Sequence, residues 1–421
     1  MSGKNAVLVS LNDDIQEITQ LADTLDYNIV KTFIQHKKIP DTNSYIGPGK
    51  VEEIGKFIDE QPKDSVNLVI IDGELKPSQW FTLEKKLKID VYDRIRLILA
   101  IFEQRADKKE AKLQVRLAQL QYERPFVREL IHRAKAGEHP GFMAGGEYQV
   151  DDYYEMIKKQ TKKIKEDLEK IRDEREIRRR HRHTSGFYLV SLAGYTNAGK
   201  SSLLNLLVGE QVKVDGKLFS TLSTTTRKMN DKTFPILLTD TVGFIQNLPA
   251  LVIDAFHSTL EELALADVVL LVVDLSESKE VIEKKLRVSL DELVGIGVVS
   301  PIVIVFNKID LLTKEEGKNR IDYLNETGLL ENKKTMIISV KDKRNIAILL
   351  DLIHYSLPLI SSFKLKLPIN EKTQSFISWI YEKARVSDVV YNDYILVSVD
   401  CNLEIKDKIL SKCSELGGQI I

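Results

Sequence analysis

Cysteine is nearly absent from this 421-residue chain, which has only Cys401 and Cys413. With two thiols and no paired Cys/His ligand spacing, neither a disulfide scaffold nor a structural zinc site is expected, and a reducing compartment is. Long hydrophobic runs are lacking too. The longest apolar stretches, around 268–273 and 302–306, fall well short of the ~18 residues that span a bilayer. The opening residues reach Asn12, Asp13 and Asp14 after only a few apolar ones, too few for the hydrophobic part of a signal peptide. A soluble, cytoplasmic protein is the expectation. Neither sign of charge dominates: 61 Lys plus Arg stand against 62 Asp plus Glu, a net charge of −1. That balance excludes a uniformly basic nucleic-acid coat and leaves room for a local basic face. A content of 43% hydrophobic and 29% charged residues is that of a folded chain. At about 150 residues per domain, the length predicts about three domains.

Residues 5–11 read as a buried strand, 15–25 carry apolar residues at helical spacing, and the alternation continues to the apolar run 68–71 and its turn at Asp72-Gly73. This predicts an N-terminal α/β domain over 1–93. From 94 the pattern is helical, and the break His139-Pro140-Gly141-Phe142-Met143-Ala144-Gly145-Gly146 divides it into two helices of a linker over 94–183. That linker holds 23 Lys plus Arg against 16 Asp plus Glu, a charge of +7, so the remainder carries −8. Its distal end, Arg178-Arg179-Arg180-His181-Arg182-His183, concentrates the positive charge. Two readings stay open: a solvated helix face laced by i,i+4 pairs, and an RNA-contacting arm whose charge neutralises phosphates. His181 and His183 lack further ligands nearby and belong to the basic surface. Strands return at 188–193, 236–239, 268–274, 302–307 and 336–339, the pattern of a doubly wound α/β domain over 186–360. A small C-terminal α/β domain follows over 365–421, read as strand, helix (374–384), strand (394–399) and helix (405–416). Trp80 and Trp379 are core or interface residues.

The segment Gly194-Tyr195-Thr196-Asn197-Ala198-Gly199-Lys200-Ser201 fits the phosphate-loop pattern Gly-x-x-x-x-Gly-Lys-Ser/Thr, with an apolar strand before it and a helix after it. Its glycines let successive amides point into one concavity that can hold phosphate oxygens, aided by the positive end of the helix. Lys200 can reach the β- and γ-phosphates and the Ser201 hydroxyl can sit on Mg²⁺. Asp240-Thr241-Val242-Gly243 closes the strand 236–239, so Asp240 can hold a water on the metal and the Gly243 amide can approach a γ-phosphate. Asn307-Lys308-Ile309-Asp310 ends another buried strand. The Asp310 carboxylate can accept from the N1–H and exocyclic amine of guanine, a pattern adenine does not present, while Lys308 lies along the base. Ser339-Val340-Lys341 can offer an amide to the guanine oxygen. Four such segments in one order, each at a strand's C-terminal end, predict a Mg²⁺-dependent site for GTP and its product GDP.

Between the phosphate loop and Asp240 lies Leu218-Phe219-Ser220-Thr221-Leu222-Ser223-Thr224-Thr225-Thr226-Arg227, the expected first switch. A hydroxyl there completes the metal shell and senses the γ-phosphate. Thr221, Thr224, Thr225 and Thr226 are all able to do so. After Gly243 comes Phe244, where a hydrolysing GTPase often has a Gln that orients water. A phenyl ring cannot polarise water, so slow intrinsic hydrolysis is expected and the catalytic residue is unassigned. Gln246, Asn247 and Arg227 are candidates, and the ring either blocks water or packs.

Taken together, these segments resemble the HflX family of ribosome-associated GTPases over nearly the whole chain. The G-domain stretches GYTNAGKS, LFSTLSTTTR, DTVGFIQNLP, AFHSTLEE and NKID carry the likeness, as do YIGPGKVEEI, the segment from Asp93 to Pro125 and the basic run outside it. The chain departs from the family in Ala144-Gly145-Gly146-Glu147, which lacks a usual proline, and in Thr224, where proline is common. The resemblance implies nucleotide contacts from Gly194 to Ser201, from Phe219, Ser220, Thr221, Leu222 and Ser223, from Asp240 to Gly243, and from the two base-recognition segments. It implies metal ligation by Ser201 and Thr221. It further implies binding to the rRNA of the large ribosomal subunit through the N-terminal domain and linker, with GTP-dependent subunit separation. A monomer without a DNA partner is expected, and peripheral membrane contact is a secondary expectation. The competing readings are a nucleotide-gated regulatory scaffold for a protein partner and an RNA-unwinding NTPase, which Asp310 disfavours.

Overall fold

The structure, a computed structural model, describes residues 4–63, 65–135, 147–184, 187–209, 225–231, 234–241, 243–244, 261–358, 361–401 and 403–421. The chain divides into two compact units, the first running through Ile171 and the second beginning at Arg172. Among the described residues no helix is long and apolar enough to cross a membrane.

The first unit opens with β1 (Lys4–Ser10), α1 (Gln16–Thr24), β2 (Tyr27–Ile34), α2 (Pro48–Asp59), β3 (Leu68–Ile71), α3 (Pro77–Leu87) and β4 (Asp90–Tyr92). Its parallel sheet has the order β2-β1-β3-β4. Both faces are covered, so β3 is buried at all four residues and reads as a continuous apolar run. Among the described residues the expected pair of linker helices is instead three: α4 (Arg94–Arg105), α5 (Lys109–Lys135) and α6 (Glu147–Thr184). Asp93 starts α4 by accepting from the Arg96 amide at 2.8 Å. Leu97, Ile98, Ile101 and Phe102 are fully buried and α4 packs on α1 and on the sheet. Neither Gly nor Pro marks the break between α4 and α5, so the helical pattern reads through it. Helices α5 and α6 share an apolar seam of Leu117, Leu120, Val127, Ile157 and Ile164.

Arg94 fixes the start of α4 to the sheet. Its guanidinium contacts Glu17 of α1 and reaches Asp72 Oδ1 at 3.2 Å, and Ser10 donates to the other Asp72 oxygen at 3.2 Å. Burial raises the Asp72 carboxyl above its ordinary range, with Arg94 pulling it back down. Breaking a buried ion pair from one side leaves an uncompensated charge, at a cost of about 3–5 kcal/mol. Arg94→Ala is therefore expected to destabilise this unit by about that amount, checked by urea unfolding followed through Trp80 emission in a Trp379→Phe background.

The second unit contains β5 (Tyr188–Ala193), α7 (Lys200–Val208), β6 (Thr225–Lys228), β7 (Ile236–Asp240), β8 (Val268–Asp274), α8 (Lys279–Ile296), β9 (Ile302–Asn307), α9 (Lys314–Glu326), β10 (Lys334–Ile337) and α10 (Ile346–Ser356). The sheet order is β10-β9-β8-β5-β7-β6, parallel except for the edge strand β6. The chain leaves β5 toward β7 on one side and then crosses to β8 on the other. The carboxyl end of β5 is therefore the switch point where open α/β sheets bind ligands. The core beneath it includes Val190, Leu192, Leu203, Ile236, Leu238, Leu270 and Val305.

The C-terminal part is β11 (Ser361–Leu367), α11 (Glu371–Lys383), β12 (Arg385–Tyr391), β13 (Ile395–Cys401), α12 (Leu403–Glu415) and β14 (Gln419–Ile420). Its antiparallel order β12-β13-β11-β14 is a split βαβ arrangement. It holds two strands, β12 and β14, beyond the two the sequence pattern predicts. Cys401 and Cys413 are buried in its core, and Trp379 packs against that core.

Candidate nucleotide site

The phosphate loop leaves β5 and is held open by its own backbone. Gly199 has φ +99°, and a Cβ there would lie 2.3 Å from Asn307 Nδ2, so only glycine fits. The next residues enter α7, leaving the first amides of that helix facing the concavity. Lys200 folds back into it. Its ammonium donates to the carbonyls of Gly194 at 3.0 Å and Tyr195 at 2.8 Å. Tyr195 and Ala198 are buried, Thr196 is half-buried and Asn197 is exposed in a left-handed conformation.

Burial lowers the Lys200 pKa to about 8, while the Asp240 carboxylate works in the opposite direction. This predicts a pH effect. Above about pH 8 the ligand-free protein must take up a proton to give Lys200 its charge, so GDP affinity is expected to fall about threefold between about pH 7.5 and about pH 8.5. Titrations with a fluorescent GDP analogue check this, and Lys200→Ala should abolish the dependence.

Ser201 and Asp240 meet. Strand pairing sets Asp240 beside Leu192, and the Ser201 hydroxyl donates to Asp240 Oδ2 at 2.7 Å. A hydroxyl and a carboxylate are hard oxygen donors of the kind Mg²⁺ takes, directly or through water, so these two residues fit that ion. Thr241 is spent structurally, its hydroxyl donating to Leu192 O at 2.7 Å. Gly243 comes so close to the loop that a Cβ would lie 2.8 Å from Thr196 Cγ2 and 3.0 Å from Lys200 Nζ. Its amide is thus beside the group that can hold a γ-phosphate. Phe244 packs: it is 5% exposed, its amide donates to Gly194 O at 3.0 Å and its carbonyl accepts from Thr196 N at 3.0 Å. The ring offers nothing that could orient water.

The segments expected to recognise the base meet at the same sheet edge. Asn307 Nδ2 donates to Ala198 O at 2.9 Å, and its Oδ1 accepts from Val340 N at 3.2 Å. One buried amide thus ties the phosphate loop to the Ser339-Val340-Lys341 turn. Ser339 donates to Asp310 Oδ1 at 2.6 Å and accepts from Asp342 N at 3.0 Å, which orients the carboxylate. Ile309 donates its amide to Ile338 O at 3.3 Å, and Lys341 is exposed.

One member of the site was missed from sequence. Asp274, beside Asn307 in the β8–β9 register, pairs with Lys308 Nζ at 2.6 Å. It holds that lysine, itself in a left-handed conformation at φ +67°, at the carboxyl end of β8. The only signal was an acid closing an apolar strand at the same edge as Asp240. Phe219, Ser220, Thr221, Leu222, Ser223 and Thr224, Val242, Gln246 and Asn247, and the linker break at 139–146 lie outside the described residues. So do the side chains of Thr225 and of residues 178–183. Thr226, which is described, is turned to Thr239, with 2.9 Å between the hydroxyl oxygens.

Comparison with known proteins agrees along the chain. Residues 12–103 match the family described as GTP-binding GTPase N-terminal, 105–182 the GTP-binding GTPase Middle Region, and 189–308 the 50S ribosome-binding GTPase. GTPase HflX of Methanocaldococcus jannaschii is 41% identical over 381 residues, 90% of this chain and 90% of that protein. GTPase HflX of Caldanaerobacter subterraneus is 35% identical over 413 residues, 96% of this chain and 91% of that protein. The crystal structure of SsGBP in complex with GDP is 27% identical, with a TM-score of 0.50, and the match covers 84% of this chain and 98% of that one. With a phosphate loop at the switch point of its sheet and relatives this similar over most of its length, the chain belongs to the HflX family of GTPases.

Proposed function

We propose that this GTPase binds the large ribosomal subunit through its N-terminal domain and basic linker and couples its nucleotide state to remodelling or separation of ribosomal subunits. What carries this reading is the joining, in one chain, of a phosphate-sensing site to a helical segment of charge +7. The 50S ribosome-binding description of the matching family supports it. In the proposed site, residues Gly194 to Ser201 cradle the phosphates with Lys200 on the β- and γ-oxygens. Ser201 and Thr221 hold Mg²⁺, which when bound neutralises charge shared between those oxygens. Gly243 reports the terminal phosphate, and Asn307, Lys308, Asp310 and the turn at Ser339 hold the guanine. Hydrolysis is slow without a partner, because Phe244 supplies no polar group where water must be oriented.

Co-sedimentation with purified large subunits tests the reading. More protein is expected in the pellet with a non-hydrolysable GTP analogue than with GDP, and equal binding in every nucleotide state would contradict the coupling. Reversing Arg178, Arg179, Arg180 and Arg182 to Glu separates ribosome binding from the scaffold reading. It should weaken subunit binding and flatten its salt dependence, since fewer phosphates are neutralised.

A further inference from the structure

A cleft of about 360 Å³ lies in the first unit among α3, β4, α4, α5 and the start of α6, far from the residues of the nucleotide site in sequence. That volume suits a small organic ligand. Five rings line it: Trp80, Tyr92, Tyr122, Phe126 and Tyr153. Three of them form a wall, with Phe126 edge-on to Trp80 at 5.4 Å between centroids and tilted against Tyr122 at 4.7 Å. The Tyr122 hydroxyl is spent on buried Asp93, so this residue meets the cleft as a ring.

The charged lining is unequal. Glu103 and Glu123 both line the cleft. Glu103 accepts from Gln119 at 3.0 Å and Glu123 from the Tyr153 hydroxyl at 3.1 Å, and an ionised carboxylate can accept more than one such bond. Among the described residues the one lining cation, Arg96, lies over the Tyr92 ring at 4.2 Å and also donates to the Val91 carbonyl at 3.4 Å. An anionic ligand would face two carboxylates. A purely apolar one would strip water from them without compensation. Electron-rich ring faces beside carboxylates are the chemistry that attracts an ammonium group.

We infer that this cleft binds a small organic cation, its ammonium set between Glu103 and Glu123 and its apolar body against the Trp80, Tyr122 and Phe126 rings. The ligand bridges the N-terminal sheet domain and the linker helices, and so clamps them together within this unit.

Trp80 is itself the reporter. In full-length Trp379→Phe protein, 2-phenylethylamine and spermidine are titrated while tryptophan emission is followed, with 3-phenylpropionate as an anion of similar shape. A saturable change with an amine and none with the carboxylate is expected. Tighter binding of the aryl amine identifies an aromatic body, and tighter binding of spermidine an aliphatic polyamine. The double substitution Glu103→Gln and Glu123→Gln should weaken amine binding at least about tenfold, with unchanged GTP turnover and unfolding midpoint. Silence with both amines, equal binding of the carboxylate, or undiminished binding by the double variant would overturn the assignment.

Discussion

Lys200→Ala is expected to lower the affinity for both GTP and GDP about 100-fold or more, the loss that follows from removing a charge-assisted hydrogen bond to phosphate from a water-poor concavity. The variant should still fold. The lysine is 7% exposed and, among the described residues, its ammonium is answered by the Gly194 and Tyr195 carbonyls and the field of Asp240. Burial works against that charge, so alanine relieves a cost as well as removing two bonds. Thermal unfolding without nucleotide should therefore move little, while the stabilisation that GDP gives the parent chain should vanish. Affinity within a few fold of the parent would remove the phosphate loop from the account.

Asp310→Asn should invert base selectivity. The carboxylate is steadied by the Ser339 hydroxyl at 2.6 Å and can accept from both guanine donors. An amide replaces one acceptor with a donor, which then meets the guanine exocyclic amine as a like partner. Xanthine carries a carbonyl at that position and becomes the better ligand. Sites built around hydrogen bonds reject mismatched analogues strongly, so the ratio of xanthosine to guanosine triphosphate affinity is expected to rise about a thousandfold. Competition against a fluorescent nucleotide measures it. Because Ser339 can still donate to the asparagine carbonyl, the turn that carries Val340 should keep its shape, and overall stability should change by less than about 1 kcal/mol.

Much of this site could be read from sequence because its parts are local. A glycine that a neighbouring side chain forces to remain glycine, a lysine one residue later and acids closing apolar strands all leave their mark within a few positions. What could not be read is set by distance or by the lack of punctuation. Asp274 and Lys308 are 34 residues apart and meet only because β8 and β9 pair in register. Trp80 and Phe126 meet only once α5 lies on α3. The α4–α5 break has no glycine or proline to announce it, whereas Pro125 lies inside α5 without ending it. Strand β12 escaped notice because it is an edge strand with a bulge between Val386 and Asp388, which spoils the alternation a strand is recognised by. Phe244 was ambiguous by type, and its burial against the phosphate loop decides in favour of packing.

Calorimetric titration of the full chain with magnesium and non-hydrolysable analogues of GTP and ATP tests the central claim most directly. A single saturable site for the guanine analogue, with no measurable heat from the adenine one, is the predicted result. No heat from either nucleotide, or equal affinity for the two, would contradict a site in which the phosphate loop, Asp240 and Asp310 act on one guanosine triphosphate.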